Sequence, residues 1–289
     1  MDPRMRSLMS DNSRYVESFR LFLENSTEHQ CMEDFIETKL PAIISSIGDD
    51  KSAIKILGVG SGSGEIDLQM ISKINTRYPG VPIKNVIVEP SPEQIISYKA
   101  RIAKTPNIDN ITFSWNNITA IEFEEQVDKV EQKEKYDFVH MIQMLYYVKD
   151  VPGTLSFFKS CLAPKGKLMI TLVSGNNGWS TLWKKYSNRL PLQELTAAHI
   201  MEILSSMGAR YQSYELLSDM DITECFIEGN RNGELLLDFL TATCDFKSNA
   251  PAELRDEIIN DLKTPECSSH RDGKVIFNNN FSVIVVESD

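Results

Sequence analysis

The residues with the clearest chemical potential lie in the stretch IKILGVGSGSGE, from Ile54 to Glu65. An apolar β-type run ends in three glycines at alternate positions, Gly60, Gly62 and Gly64, and a helix-compatible segment follows. A strand, a glycine-rich loop and a helix present backbone N–H groups to a ligand in α/β proteins. Because glycine has no Cβ, a ligand can lie directly against the main chain. The stretch predicts a small-molecule site, and a tight turn without a ligand is the alternative.

The same loop disfavours two common nucleotide-binding motifs. A dinucleotide fingerprint requires Gly-x-Gly-x-x-Gly, but counting from Gly60 the last glycine position falls on Glu65, whose charge would repel a pyrophosphate. No Gly-Lys-Ser/Thr follows, so the P-loop pattern fails too. S-adenosylmethionine carries a ribose and a cationic end and fits better. The pattern resembles the first motif of the Rossmann-like methyltransferases that use this cofactor, and a nicotinamide-dependent oxidoreductase remains a disfavoured alternative.

A second group of cofactor candidates follows the next predicted strand. Val86–Val88 is strand-like and ends in Glu89, about 25 residues after Gly64. A carboxylate at that point can accept hydrogen bonds from ribose hydroxyls. Ser91-Pro92-Glu93-Gln94 predicts a helix start with Ser91 as the N-cap. Gln94 is therefore either a capping partner or a cofactor contact.

The elements that must position these residues alternate between strands and helices. Apolar runs predict the strands Ile54–Val59, Val86–Val88, Ile111–Trp115, Tyr136–Met141, Leu168–Val173 and Arg210–Leu217, and helical spacing predicts the helices Glu65–Tyr78, Pro152–Leu162 and Glu194–Met207. This alternation is typical of an α/β fold whose binding crevice lies at the carboxyl ends of the strands. Ile142, Gln143 and Tyr147 follow the fourth strand, so we expect them where a cofactor meets a substrate.

The chain on either side of this core predicts further helices. Two short amphipathic helices, Ser7–Leu23 and Met32–Leu40, precede the first strand, and two more, Gly233–Cys244 and Ala252–Leu262, suggest a small helical lid. Lys274–Phe277 and Phe281–Glu287 predict a hairpin around three asparagines, with the last strand antiparallel to the sheet. The predicted division is N-terminal helices at 1–50, an α/β core at 51–217, a helical lid at 218–271 and a C-terminal hairpin at 272–289.

Composition narrows the class of protein. The chain has 289 residues with 30 basic and 41 acidic side chains, a net charge of −11, which disfavours a nucleic-acid partner. Five scattered cysteines without a Cys-x-x-Cys motif predict reduced thiols in the cytoplasm. The four histidines show no metal-ligand spacing. The polar N-terminus shows no signal-peptide core, and no apolar run is long enough to span a membrane. We expect a monomer, because no heptad or long exposed apolar edge is visible.

Longer segments identify a more specific resemblance. Gly60–Glu65, Glu89, Met141–Asp150 and the segments RYVESF (14–19) and STEHQCM (26–32) are similar to the histamine N-methyltransferases, and the similarity covers essentially the whole chain. The resemblance implies a class I methyltransferase fold, with a mostly parallel seven-stranded sheet and an antiparallel last strand. It implies S-adenosylmethionine as the cofactor, held by Gly60, Glu89, Gln94, the Thr119/Ala120 position and Ile142. The other two loop glycines, Gly62 and Gly64, complete the predicted cofactor site. The resemblance also implies histamine as the substrate, held by Glu28 and Asn279 and lined by Tyr15, Phe19, Gln143, Tyr147, Trp179, Trp183 and Phe239.

Two departures from the family pattern concern the site. Ala120 stands where family members carry serine, so Thr119 or the backbone must replace that contact. The segment after Arg189 is about four residues shorter than the family pattern, and Leu190 replaces an aromatic residue. A methyltransferase for another small amine or imidazole, and a catalytically silent cofactor-binding relative, therefore remain alternatives. A neutral imidazole nitrogen already carries a lone pair near pH 7, so we expect no catalytic acid or base.

Overall fold

The computed structural model describes residues 5–192 and 194–288. Its strands are β1 (Ile54–Val59), β2 (Ile83–Val88), β3 (Ile111–Asn116), β4 (Tyr136–Ile142), β5 (Leu162–Val173), β6 (Tyr211–Leu216), β7 (Asp219–Asp221), β8 (Ser268–Arg271), β9 (Lys274–Asn278) and β10 (Phe281–Glu287). Its α-helices are α1 (Asn12–Asn25), α2 (Glu28–Thr38), α3 (Leu40–Ile43), α4 (Glu65–Arg77), α5 (Pro92–Ile102), α6 (Ala120–Asp128), α7 (Val151–Ser160), α8 (Gly178–Tyr186), α9 (Ala197–Ser206), α10 (Arg231–Thr241), α11 (Phe246–Asn249) and α12 (Ala252–Asp261). Short 3-10 turns cover Leu8–Ser10, Leu145–Tyr147 and Thr223–Phe226.

Seven of the strands form one sheet in the order β3-β2-β1-β4-β5-β10-β6. The pairs among β1 to β5 are parallel, and β10 is the antiparallel strand, which confirms the predicted fold class. The chain progresses outward from β1 in one direction through β2 and β3, and in the other through β4 and β5. The carboxyl end of β1 is therefore the topological switch point, where ligands of open α/β sheets bind.

The predicted C-terminal hairpin is wrong. β9 pairs with β7 and β8 in a separate three-stranded sheet, whereas β10 belongs to the seven-stranded sheet. β9 forms its hairpin with β8, since Arg271 pairs with Lys274 across a two-residue turn. That turn is Asp272-Gly273, and both residues have positive φ angles, of 50° and 75°. Asp-Gly is the favoured two-residue hairpin turn, so this signal was present in the sequence.

The chain divides into two compact units. Unit 1 contains the described residues of Met1–Cys31, Val173–Ala198 and Glu215–Ser282, and unit 2 those of Met32–Leu172, His199–Tyr214 and Val283–Asp289. The parallel strands β1 to β4 lie in unit 2, and the three-stranded sheet with the two predicted lid helices, α10 and α12, lies in unit 1. The sequence-derived boundaries after residues 50, 217 and 271 stay a prediction.

No helix among the described residues is long and apolar enough to cross a membrane. The strands β1 and β2 are buried over nearly their whole length. A continuous apolar run of this kind is typical of a parallel sheet covered on both faces.

Candidate active site

The glycine loop of unit 2 runs from the end of β1 to the start of α4. Gly60 and Gly64 have φ angles of +67° and +73°, a backbone conformation that side chains with a Cβ rarely adopt. A Cβ added to Gly60 would lie 2.7 Å from the Cβ of Met144. Gly64 is the N-cap of α4. A Cβ at Gly62 would meet nothing within 4 Å, so the backbone of the loop is accessible at that point.

Glu89, at the end of β2, is tied to this loop. One carboxylate oxygen accepts the Gly62 N–H at 2.8 Å, and the other accepts the Ser91 N–H at 2.9 Å. The side chain is only 6% exposed, so these two bonds fix its orientation. A carboxylate oxygen can accept more than one hydrogen bond, and Glu89 therefore retains the capacity to bind a pair of ribose hydroxyls. Ser91 caps α5 by accepting the Gln94 N–H, which confirms the predicted helix start.

Two further predicted cofactor residues begin the helix after β3. Thr119 is the N-cap of α6 and forms a reciprocal capping box with Glu122. Its hydroxyl both accepts from the Glu122 N–H and donates to the Glu122 carboxylate. The Thr119 hydroxyl is thus engaged in capping, so it is a poor replacement for a serine at position 120. Ala120, the first residue of the helix, is buried.

β4 ends at Ile142, and the next residue adopts an unusual backbone. Gln143 has a φ of +51°, which is uncommon for a residue with a Cβ and concentrates at functional sites. Its N–H donates to the Thr171 carbonyl at 2.9 Å, and its side-chain oxygen accepts the Tyr146 hydroxyl at 3.0 Å. Tyr147 is 58% exposed. Gln143 and Tyr147 belong to unit 2, together with the cofactor candidates.

Unit 1 brings the other predicted aromatic residues into one ring cluster. Tyr15 and Phe19 of α1 stack with centroids 6.0 Å apart, and Phe19 contacts Phe239 of α10 at 5.9 Å. Phe239 meets Trp179 of α8 edge-on at 5.9 Å, and Trp179 lies 6.0 Å from Trp183. Both tryptophans are buried, whereas the other three rings are partly exposed. The exposed faces form an aromatic surface that suits a flat or cationic ligand.

A hydrogen-bond chain orients the two predicted polar residues of this unit. The Trp179 indole N–H donates to Asn279 Oδ1 at 2.7 Å. Asn279 Nδ2 donates to Ser218 Oγ at 2.9 Å and to Glu28 Oε2 at 3.3 Å. Because both amide hydrogens are used, the groups that Asn279 and Glu28 present to a ligand are hydrogen-bond acceptors. Glu28 is the first residue of α2, which begins four residues earlier than predicted.

Sequence reasoning missed Ser218 and Phe22. Ser218 is 1% exposed and reaches Asn279 across 61 residues of chain, and no local pattern signals such a contact. The Phe22 ring stacks on Phe239 with centroids 4.7 Å apart. Phe22 shares a helical face with Tyr15 and Phe19, and that spacing was the available signal. Among the described residues, no group of three His, Cys, Asp or Glu side chains could hold a metal ion.

The fold and the glycine loop define a class I methyltransferase. A family model described as a methyltransferase domain matches residues 32–211. The chain is 73% identical to histamine N-methyltransferase A of Xenopus laevis, with all of both chains covered, and 56% identical to the Rattus norvegicus histamine N-methyltransferase, with 99% and 98% covered. The chain belongs to the histamine N-methyltransferase family.

Solved structures agree on the fold. The YcgJ protein from Bacillus subtilis superposes with a TM-score of 0.54 at 13% identity, covering 90% of this chain and 99% of that one. The plantazolicin methyltransferase BpumL in complex with SAH superposes with a TM-score of 0.50 at 13% identity, covering 98% and 93%. The alignment with the Xenopus laevis relative spans 293 positions, four more than this chain has. This difference equals the predicted shortening of the segment after Arg189. That the missing residues lie in this segment stays a prediction.

Proposed function

We propose that this chain transfers a methyl group from S-adenosylmethionine to an imidazole ring nitrogen of histamine. The observation that carries the proposal is the hydrogen-bond chain from Trp179 through Asn279 to Glu28, beside a partly exposed aromatic surface. An array of acceptors next to aromatic rings suits a ligand that has N–H donors, a positive charge and a flat ring. Histamine has all three.

The cofactor site is proposed at the glycine loop and Glu89. The two hydrogen bonds that hold the Glu89 carboxylate leave it able to accept ribose hydroxyls, and the absence of a Cβ at Gly60 and Gly62 lets the main chain approach the ligand. Gly64, Gln94, Thr119, Ala120 and Ile142 complete the proposed set. The cofactor supplies an electrophilic methyl group on a sulfonium.

The remaining task of the chain is to bind and orient the amine. Methyl transfer is an in-line displacement, so correct alignment of the nucleophile lowers the barrier. The alkylamine of histamine is protonated near pH 7, while an imidazole with a pKa near that of histidine, about 6.5, is largely neutral and keeps its lone pair. We assign the ammonium or an imidazole N–H to Glu28 and Asn279. Tyr15, Phe19 and Phe239 line the ring, with Trp179 and Trp183 behind it, and Gln143 and Tyr147 belong to the same proposed set.

A methyl-transfer assay tests the proposal. Purified protein is incubated with radiolabelled S-adenosylmethionine and, in parallel, with histamine, histidine, dopamine and phenylethylamine. We expect histamine to show the highest kcat/KM and histidine to be a poor substrate, because its carboxylate would approach Glu28. Binding of the cofactor without transfer to any amine would instead support a catalytically silent relative.

A second candidate is methylation of a different small amine or imidazole. The observation in its favour is a difference in length: the alignment with the Xenopus laevis relative has 293 positions, whereas this chain has 289 residues. A changed pocket wall would alter which amine fits. In the same assay, a higher kcat/KM for another amine than for histamine would select this candidate.

We further propose a cytoplasmic monomer. None of the five cysteines forms a disulfide, and four of them are buried, a pattern that suits a reducing compartment. Size-exclusion chromatography with light scattering tests the oligomeric state, and a mass of twice 32.8 kDa would contradict it.

A further inference from the structure

Next to the glycine loop, unit 2 contains buried polar side chains that the proposed reaction does not use. Asp67 in the first turn of α4, Tyr98 of α5 and His140 of β4 are 2%, 0% and 1% exposed. We call these three residues the loop-floor cluster. Burying a carboxylate, a phenol and an imidazole together is costly unless they interact, so their presence requires an explanation.

The members of the loop-floor cluster contact one another. The Tyr98 hydroxyl donates to Asp67 Oδ2 at 3.4 Å and accepts from Asn85 Nδ2 at 3.4 Å. His140 Nδ1 lies 3.6 Å from Asp67 Oδ1. Burial and the nearby Asp67 raise the pKa of Tyr98 well above its usual range. The phenol therefore keeps its proton and remains a donor to Asp67.

The loop-floor cluster touches the glycine loop at its C-terminal end. A Cβ added to Gly64 would overlap Cδ2 of Tyr98, so the ring packs directly against the Gly64 α-carbon. The backbone at Gly64 also adopts the left-handed conformation, with a φ of +73°. The Tyr98 ring therefore supports the loop at the point where it turns into α4.

The cluster also meets the N-terminal part of the loop. A Cβ added to Gly58 would overlap Ser61 Oγ and would lie 2.9 Å from Asp67 Oδ2 and 2.8 Å from His140 Cε1. These three side chains converge on the bare α-carbon of Gly58, which is a glycine inside a buried strand. Glycine in a strand interior weakens the strand and often marks a close approach of other groups. The close approach here brings a loop residue, Ser61, beside Asp67 and His140.

A second observation separates this cluster from ordinary packing. His140 Nε2, Ser61 Oγ and Asn85 Oδ1 are buried, and none of the three atoms has a hydrogen-bond partner among the described residues. Replacing such buried polar groups by apolar residues of similar volume often leaves the stability of a protein unchanged or raises it. Departures from a fully satisfied core are expected at functional sites.

We propose that the loop-floor cluster is a positioning device for the cofactor loop. The Tyr98 hydroxyl, bonded to Asp67, holds the Tyr98 ring against Gly64, and Asp67 and His140 pack beside Ser61. The backbone between these contacts therefore keeps the left-handed course that directs the Gly62 N–H to Glu89. This inference rests on the proposed function, in which the loop and Glu89 hold the nucleoside. Losing one cluster member weakens nucleoside binding and leaves amine recognition unchanged.

The test compares Tyr98→Phe and Asp67→Asn with a matched control, Tyr78→Phe. Tyr78 is also a buried tyrosine whose hydroxyl is bonded, to the Ile44 carbonyl at 2.7 Å, but it lies at the opposite end of α4. Isothermal titration calorimetry with S-adenosylhomocysteine measures Kd for each folded variant. We expect Kd to rise at least fivefold in Tyr98→Phe and Asp67→Asn, and to stay within twofold in the control. Steady-state kinetics should show a raised KM for S-adenosylmethionine with the KM for the amine unchanged.

A ligand-free readout separates this inference from the proposed function. Hydrogen–deuterium exchange of the peptide covering residues 58–65 reports how firmly the loop is held. We expect faster exchange in Tyr98→Phe and Asp67→Asn, with the control at the native rate, whether or not the native protein binds the nucleoside. The positioning role would be overturned if both variants showed the exchange rate and the Kd of the native protein. It would also be overturned if Tyr78→Phe changed exchange and Kd as much as they did. Failure of the native protein to bind S-adenosylhomocysteine, with loop exchange still faster in the variants, would overturn only the proposed function.

Discussion

Replacing Glu28 by glutamine tests the proposed amine site most directly. The side chain accepts a hydrogen bond from Asn279 Nδ2 at 3.3 Å, and a glutamine carbonyl oxygen can accept the same bond. The substitution keeps the shape and removes the negative charge. The change therefore removes the negative charge that Glu28 would present to a positively charged or N–H-donating ligand.

The size of the effect follows from hydrogen-bond energetics. A hydrogen bond to a charged group contributes about 1.5–3 kcal/mol, whereas a neutral one contributes about 0.5–1.5 kcal/mol. The midpoints of the two ranges differ by about 1.2 kcal/mol, which corresponds to nearly a factor of ten. We expect Glu28→Gln to lower kcat/KM for histamine about tenfold. Because Glu28 is assigned to the amine, Kd for S-adenosylhomocysteine should stay within twofold.

The assay is steady-state methyl transfer at saturating S-adenosylmethionine, combined with calorimetry for the nucleoside. Glu24→Gln is the matched control, since Glu24 is exposed and its ion pair is with Arg20. Methylation of 4-methylimidazole, which lacks the ammonium group, adds a comparison on the ligand side. We expect the loss caused by Glu28→Gln to be much smaller for this substrate. Equal losses in amine kinetics and nucleoside binding, or the same loss in Glu24→Gln, would refute the reasoning.

Three further predictions concern the loop, an ion pair and the aromatic cluster. Gly64→Ala should lower the free energy of unfolding by more than about 2 kcal/mol, because φ is +73° and the new Cβ would overlap the Tyr98 ring; an unchanged urea midpoint would contradict this. Partial burial opposes ionisation of Glu134, but hydrogen bonds from two lysines outweigh it and hold its pKa below the usual 4.5. The ionised Glu134 therefore stabilises the fold above pH 4.5. Glu134→Gln should lower the free energy of unfolding by at most about 1 kcal/mol at pH 7. In urea titrations, the difference in this free energy between the native protein and the variant should disappear as the pH falls below 4.5. Trp179→Phe removes the donor to Asn279 Oδ1 and should lower kcat/KM for histamine about tenfold. Kd for S-adenosylhomocysteine is the control and should not change. An unchanged kcat/KM would show that Trp179 does not help to position the amine.

Much of the glycine-loop region of unit 2 could be predicted from short windows of sequence. The strand before Gly60, the start of α4 at Glu65 and the Ser91 cap of α5 all lie where expected. Glu89 was predicted as a strand-end carboxylate, and β2 ends one residue before it. Each of these features depends on a few adjacent residues, because caps, glycine turns and strand ends are local.

The aromatic and polar residues of unit 1 show the limits of that approach. Resemblance to a family indicated Glu28 and Asn279, but their hydrogen bond links residues 251 positions apart. The roles of Ser218 and Trp179 in orienting Asn279 depend on which strands and helices pack together. The prediction for the C-terminal strands was wrong for the same reason. Two adjacent strand-like segments suggested a hairpin, whereas β9 and β10 belong to different sheets.

The sequence alone determined the α/β class, the position of the glycine loop and the carboxylate after the second strand, because periodicity and glycine placement act over a few residues. Only the tertiary structure decided that the Gly58 α-carbon faces Asp67 and His140, that Tyr98 supports Gly64, and that Asn279 points its nitrogen to Glu28. Those facts depend on contacts between distant segments. Their geometry follows from the packing of whole elements, which no single stretch of the chain encodes.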